Sequence, residues 1–128
     1  MSSTKPRGGA RSCSRIVSSP ERLLHITTAP AWNAAQARGA YLADSLATEG
    51  FIHCSTPAQV VWVANTRFHG RTDLILLHID PSKLDADVRY ENLEGGEWLF
   101  PHVYGPIPVS AVVAVTAFRP SADGMFSL

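Results

Sequence analysis

Short apolar runs separated by Gly, Pro and polar clusters dominate the chain, and their spacing switches between the period of a strand and that of a helix. The run Arg22–Thr27 is too short for a helix and rich in apolar and β-branched side chains, which predicts a first strand. Thr28 follows as an N-cap with Pro30 in the first turn, where its missing N–H costs nothing, and Gly39 supplies the stop, so a short helix is expected between them. Asp44-Ser45 reads as a turn or cap. Glu49-Gly50 then lead into a second strand over Phe51–Ser55. Thr56-Pro57 repeats the cap-plus-proline signal, and Val60, Val61, Val63 and Ala64 recur at spacings of three and four, predicting a second helix that ends at Gly70.

The second half is mostly extended. Leu74–Ile79 is apolar on both faces, the pattern of a central strand. Asp80-Pro81-Ser82-Lys83 turns the chain, Val88–Glu91 alternates as a strand, Glu94-Gly95-Gly96-Glu97 is a turn, and Ala111–Phe118 is a late apolar strand. The order strand, helix, strand, helix and then strands predicts one α+β domain over residues 21–128, with a mixed or antiparallel sheet carrying two short helices. A chain of 128 residues buries roughly two thirds of its unfolded surface, enough for one core.

Charge divides the chain unevenly. Residues 1–20 hold Lys5, Arg7, Arg11 and Arg15 and no acid, which leaves seven basic against eleven acidic side chains in the remaining 108 residues, a net of −4. A mildly acidic folded part argues against a nucleic-acid face. The first twenty residues carry few large apolar side chains to offset their ordering entropy and are expected to be a disordered basic tail; the composition also fits a transit-like segment or an upstream translation start. No apolar run approaches the ~20 residues that span a bilayer, and none has the form of a secretory signal, so a soluble cytoplasmic protein without a membrane partner is expected. Cys13 lies in the polar tail and Cys54 in an apolar run, which fits neither a disulfide framework nor a cysteine-rich zinc motif.

Candidate chemistry gathers in three strings. Strand alternation sends Phe51, His53 and Ser55 to one face and Ile52 and Cys54 to the other, making Cys54 a buried small hydrophobe and placing an imidazole beside a hydroxyl. Ser55 and Thr56 precede the second helix, whose N-terminus favours an anion; alternatively they only cap it. His25 sits in an otherwise apolar strand and needs a partner or a cavity. In Phe100–Pro108, three prolines that cannot donate to a ladder are expected at edges, turns or strand ends, while His102 and Tyr104 share a face and can present a base and a phenol to one ligand. Among Glu91, Glu94 and Glu97 at the Gly95-Gly96 turn, Glu97 lies nearest the proline segment and is the carboxylate chosen.

The strings Leu24-His25-Ile26-Thr27-Thr28, then Ser45 with Glu49-Gly50-Phe51-Ile52-His53-Cys54-Ser55, and Phe100-Pro101-His102-Val103-Tyr104-Gly105-Pro106 resemble the domain of unknown function 952 family. More remotely the layout is similar to the ADP-ribosyltransferase-like superfamily. That resemblance implies a split sheet, NAD as cofactor or substrate, His25 on a ribose, His53 and Ser55 on nicotinamide ribose or phosphate, Tyr104 as a stacking ring, and Glu97 or His102 supporting the ribosyl transition state. The expected catalytic set is His25, His53, Glu97 and His102, with Ser45, Ser55, Thr56 and Tyr104 binding a nucleotide-like small molecule and no metal. A three-histidine metal hydrolase built on His25, His53 and His102, or a non-catalytic binding module, are the competing readings.

Overall fold

The computed structural model describes residues 22–92 and 99–128. Their order is β1 (Leu23–Thr28), α1 (Ala29–Arg38), β2 (Ala40–Tyr41), α2 (Asp44–Glu49), β3 (Ile52–His53), α3 (Pro57–Arg67), β4 (Leu74–Ile79), β5 (Val88–Glu91), β6 (Phe100–Val103), β7 (Ile107–Pro108) and β8 (Val112–Ala117). The result is an α+β fold in which every strand pair is antiparallel. The expected basic tail and Glu94–Glu97 lie outside the described residues.

Three small sheets share the work. One has the order β1-β4-β8, a second pairs β2 with β7, and the third has the order β3-β6-β5. The doubly apolar run Leu74–Ile79 is central in the first, as its pattern predicts, with Leu76, Leu77 and Ile79 fully buried. Sheet one has a core on each side. Leu23, Leu77 and Ile79 pack with Tyr41, Ile52, Cys54, Val103 and Ile107, whereas Leu24, Leu74 and Leu76 pack with Val60 and Ala64 of α3 and with Phe118 and Phe126.

Sheets one and three meet at a single bridge, where Leu24 and Ser55 exchange backbone hydrogen bonds of 2.7 and 2.8 Å. The sheet is split there for a reason that lies in Pro101. Cys54 N–H donates to the Pro101 carbonyl at 3.0 Å, but proline has no N–H to return, so the β3–β6 ladder stops and the chain crosses to β1 one residue later. Pro101 thus lies inside a central strand, β6, contrary to the expected edge or strand-end position; it is the partner strand that ends.

Helix boundaries follow local chemistry. Thr28 Oγ1 accepts from Ala31 N–H and Gly39, at φ +93°, closes α1 as expected. The second predicted helix ends at Arg67 rather than Gly70: Phe68 leaves the helical conformation as the C-cap, its N–H donating to the Ala64 carbonyl at 2.8 Å and its half-buried ring packing against the core that holds Val60 and Ala64. Where Asp44-Ser45 read as a turn or cap there is a third helix, α2, which begins at Asp44 and is closed by Gly50 at φ +90°. Six residues with one large apolar side chain, Leu46, carry too little periodicity to be seen in a sequence.

Candidate functional site

β3 and β6 place His53 directly opposite His102. Because the neighbouring Cys54–Pro101 pair carries the ladder bond, His53 and His102 form the pair without one, where side chains approach most closely. Their rings meet edge to face at 5.2 Å, and Phe51 stacks flat on His102 at 4.1 Å. The predicted shared face of Phe51, His53 and Ser55 is therefore real, and Cys54 is on the other side, with its thiol pushed up to about 12 by burial.

Each histidine is backed by a carboxylate. His102 Nδ1–H donates to Glu91 Oε1 at 2.9 Å, and the Tyr104 hydroxyl donates to the same oxygen at 2.5 Å. Those two bonds hold the Glu91 carboxyl below its ordinary value, so it is ionised and acceptor-only at neutral pH. His102 is 4 % exposed and, with Nδ1 committed, its Nε2 has no hydrogen-bond partner among the described residues. His53 is more open, its side chain 44 % exposed, with Nε2 at 3.2 Å from both oxygens of Glu49. Glu49 reaches it from α2, which also brings Ser45 round to the same side one turn earlier.

His25 is held differently. Its Nδ1–H donates to the His53 carbonyl at 2.5 Å and its Nε2 lies 2.9 Å from the Tyr41 hydroxyl, which in turn lies 2.9 Å from Thr27 Oγ1. Burial pushes its pKa down to about 4, so the ring is neutral at ordinary pH and Nε2 accepts the Tyr41 proton. Both ring nitrogens are engaged, which leaves no lone pair for ribose or metal. Among the described residues there is also no group of three or more His, Cys, Asp or Glu able to hold a metal ion.

A cavity of about 870 Å³ opens over this cluster. His25, Ser45, Glu49, His53, Ser55, Glu91 and His102 contribute to its polar side, and Leu24, Ile26, Trp62, Val63, Phe68 and Phe100 to its apolar side. Ser55 is 5 % exposed and its hydroxyl has no partner among the described residues, a cost that a ligand atom in the cavity would remove.

The three predicted histidines, Ser45 and Ser55 thus converge on one cavity. Thr56 does not line it; its N–H donates to Gln59 Oε1 at 3.1 Å and the residue caps α3. Tyr104 stands behind Glu91 with Arg89 over its ring at 4.6 Å, so it braces a carboxylate instead of offering a stacking face. Glu97 lies outside the described residues; among the described residues the carboxylates that reach the cavity are Glu49 and Glu91. Glu49 comes from α2, a helix too short to show a period, and its place four residues before His53 is the signal the sequence holds for it.

The sequence profile of the family described as "Protein of unknown function (DUF952)" matches residues 26–115, a span holding His53, His102, Glu49 and Glu91. The chain belongs to this family. Among solved structures, the crystal structure of protein CC0527 from Caulobacter crescentus is similar to it at 32 % identity and a TM-score of 0.74, covering 84 % of this chain and 94 % of that one. The solution NMR structure of CC0527 gives 32 % identity and a TM-score of 0.71, covering 81 % of this chain and 90 % of that one. No curated protein matches the chain. Among the described residues no helix is long and apolar enough to cross a membrane.

Proposed function

We propose that the cavity is the active site of an enzyme acting on a nucleotide-like small molecule, with His102 as the group that exchanges a proton with the substrate. The observation that carries this reading is the Glu91–His102 pair. An ionised carboxylate fixes Nδ1–H, the ring is clamped by Phe51, and Nε2 is left as an acceptor beside a cavity. A histidine oriented in this way is suited to general base catalysis. The Ser55 hydroxyl, without a partner among the described residues, and a volume within the ~300–1,000 Å³ of small-molecule sites support a bound ligand.

For the substrate we propose NAD or an ADP-ribosyl compound, in keeping with the remote similarity of the chain's layout to the ADP-ribosyltransferase-like superfamily. In this reading the bond between ribose and nicotinamide breaks, nicotinamide leaves with the electron pair, and the cationic ribosyl carbon is stabilised by the ionised Glu91. His102 Nε2 takes the proton of the hydroxyl or water that adds to that carbon.

Calorimetric titration of the full chain with NAD and with ADP-ribose, paired with chromatography of released nicotinamide, tests the proposal. Binding at or below millimolar concentration is expected, with His102→Asn and Glu91→Gln retaining affinity while turnover falls about 100-fold or more. No heat with either ligand overturns the nucleotide assignment, and turnover unchanged in His102→Asn overturns the proton role.

A further inference from the structure

The antiparallel bridge between Leu24 and Ser55, carried two residues further, would set Ile26 opposite His53. No such pair forms among the described residues. The His53 backbone still faces that edge, because its neighbours Cys54 and Ser55 direct their N–H groups to β6 and β1 in turn. At the gap the acceptor is met by a side chain, His25 Nδ1–H, across 2.5 Å.

We propose that His25, locked by Tyr41 and Thr27, is a positioning residue that holds His53 at the cavity across the split between the sheets. β3 has two residues and hence few ladder bonds of its own, so one side-chain bond is a large share of what fixes His53. The His53 carbonyl, which can only accept, selects the tautomer that carries its proton on Nδ1, while the Tyr41 hydroxyl meets Nε2 at 2.9 Å and Thr27 Oγ1 completes the chain. Tyr41 also packs edge to face on His25 at 5.0 Å, which fixes the ring plane. The bond acts on the backbone of His53 while the imidazole stays 44 % exposed and available to a ligand. The inference rests on the cavity being the active site only for its functional meaning; the geometry itself is testable without a ligand.

The test is a rescue series read by NMR on the full chain. Asparagine carries an amide N–H near the place of Nδ1, so His25→Asn keeps the bond to His53, whereas His25→Leu removes it. Amide exchange at Ser55 is expected to speed up at least about tenfold in His25→Leu and less than about threefold in His25→Asn, with β4 amides unchanged in both. Contacts between the His53 ring and the Phe51 and His102 rings should persist in His25→Asn and disappear in His25→Leu, while His69 at the far end of α3 reports no change. Tyr41→Phe, which keeps the ring and removes the hydroxyl, should give the same effects at smaller size and serves if His25→Leu does not fold. Equal behaviour of His25→Leu and His25→Asn, or faster exchange spread evenly over β4, would overturn the proposal. Persistence of these results with no NAD or ADP-ribose binding would remove the ligand assignment and leave the positioning role standing.

Discussion

The sheet β1-β4-β8 and the sheet β3-β6-β5 are built from strands of very different length. The first has three six-residue strands, a buried aliphatic interior and two histidines: His78, whose ring lies 2.9 Å from Thr116 near the surface, and His25, which turns to the split between the sheets. The second has strands of two and four residues that carry His53, His102 and Glu91. Long ladders and buried aliphatic side chains anchor the domain; the short ladders present polar groups at spacings no aliphatic core would tolerate. The long anchoring ladders and the His53–His102–Glu91 cluster thus lie on opposite sides of one split, with the His25–His53 bond bridging it.

The largest effect should come from the anchoring side. Leu77 is fully buried at the centre of β4, and Leu77→Ala is expected to lower unfolding stability by about 2–5 kcal/mol in urea denaturation, taking the cavity cluster with it. A selective loss of the second sheet alone would break the comparison.

Acid should act at the split itself. His25 has an ordinary value near 6.5 in the unfolded chain and about 4 in the fold, so the folded state resists protonation. Its contribution is full above about pH 6.5, declines as pH falls towards about 4, and amounts to on the order of 3 kcal/mol over that window. His25→Asn should flatten the stability profile there. Glu91 has the opposite type of linkage in a lower window: its depressed value gives stability present above the unfolded carboxyl range and lost as pH falls through the folded value, and this acid limb should remain in His25→Asn.

A smaller and more local effect is expected at Gly105. A Cβ there would meet Ala86 Cβ at 2.7 Å, so Gly105→Ala should cost about 1–3 kcal/mol through the segment that leads into β5, with β4 amide protection changing only in proportion to global stability. Smallest of all, the Cys54 thiol, raised to about 12, should resist alkylation in the folded protein at pH 8 and react on unfolding. Rapid native labelling would mean that the edge of β3 opens far more readily than its buried face implies.

The anchoring sheet was legible because its chemistry is periodic. The Leu74–Ile79 run announced a central strand, Thr28 and Gly39 bounded α1, and strand alternation separated Cys54 from His53. The site was half legible. His102 and Tyr104 share a face, as alternation predicts, and both reach Glu91 across a strand diagonal that nearness along the chain does not reveal; Glu97 lies outside the described residues. Glu49 depended on a helix too short to leave a pattern. His25 needed a partner, and nothing local could show that both its nitrogens would be taken by His53 and Tyr41, residues 28 and 16 positions away.

The most direct test of the central claim is the tautomer of His102, read from long-range proton–nitrogen NMR correlations of the full chain at a pH where the ring is neutral. The Glu91 bond requires the proton on Nδ1 and a bare Nε2, whose nitrogen resonance should shift when ADP-ribose is added. A proton on Nε2, or an Nε2 resonance indifferent to saturating ADP-ribose, would contradict it.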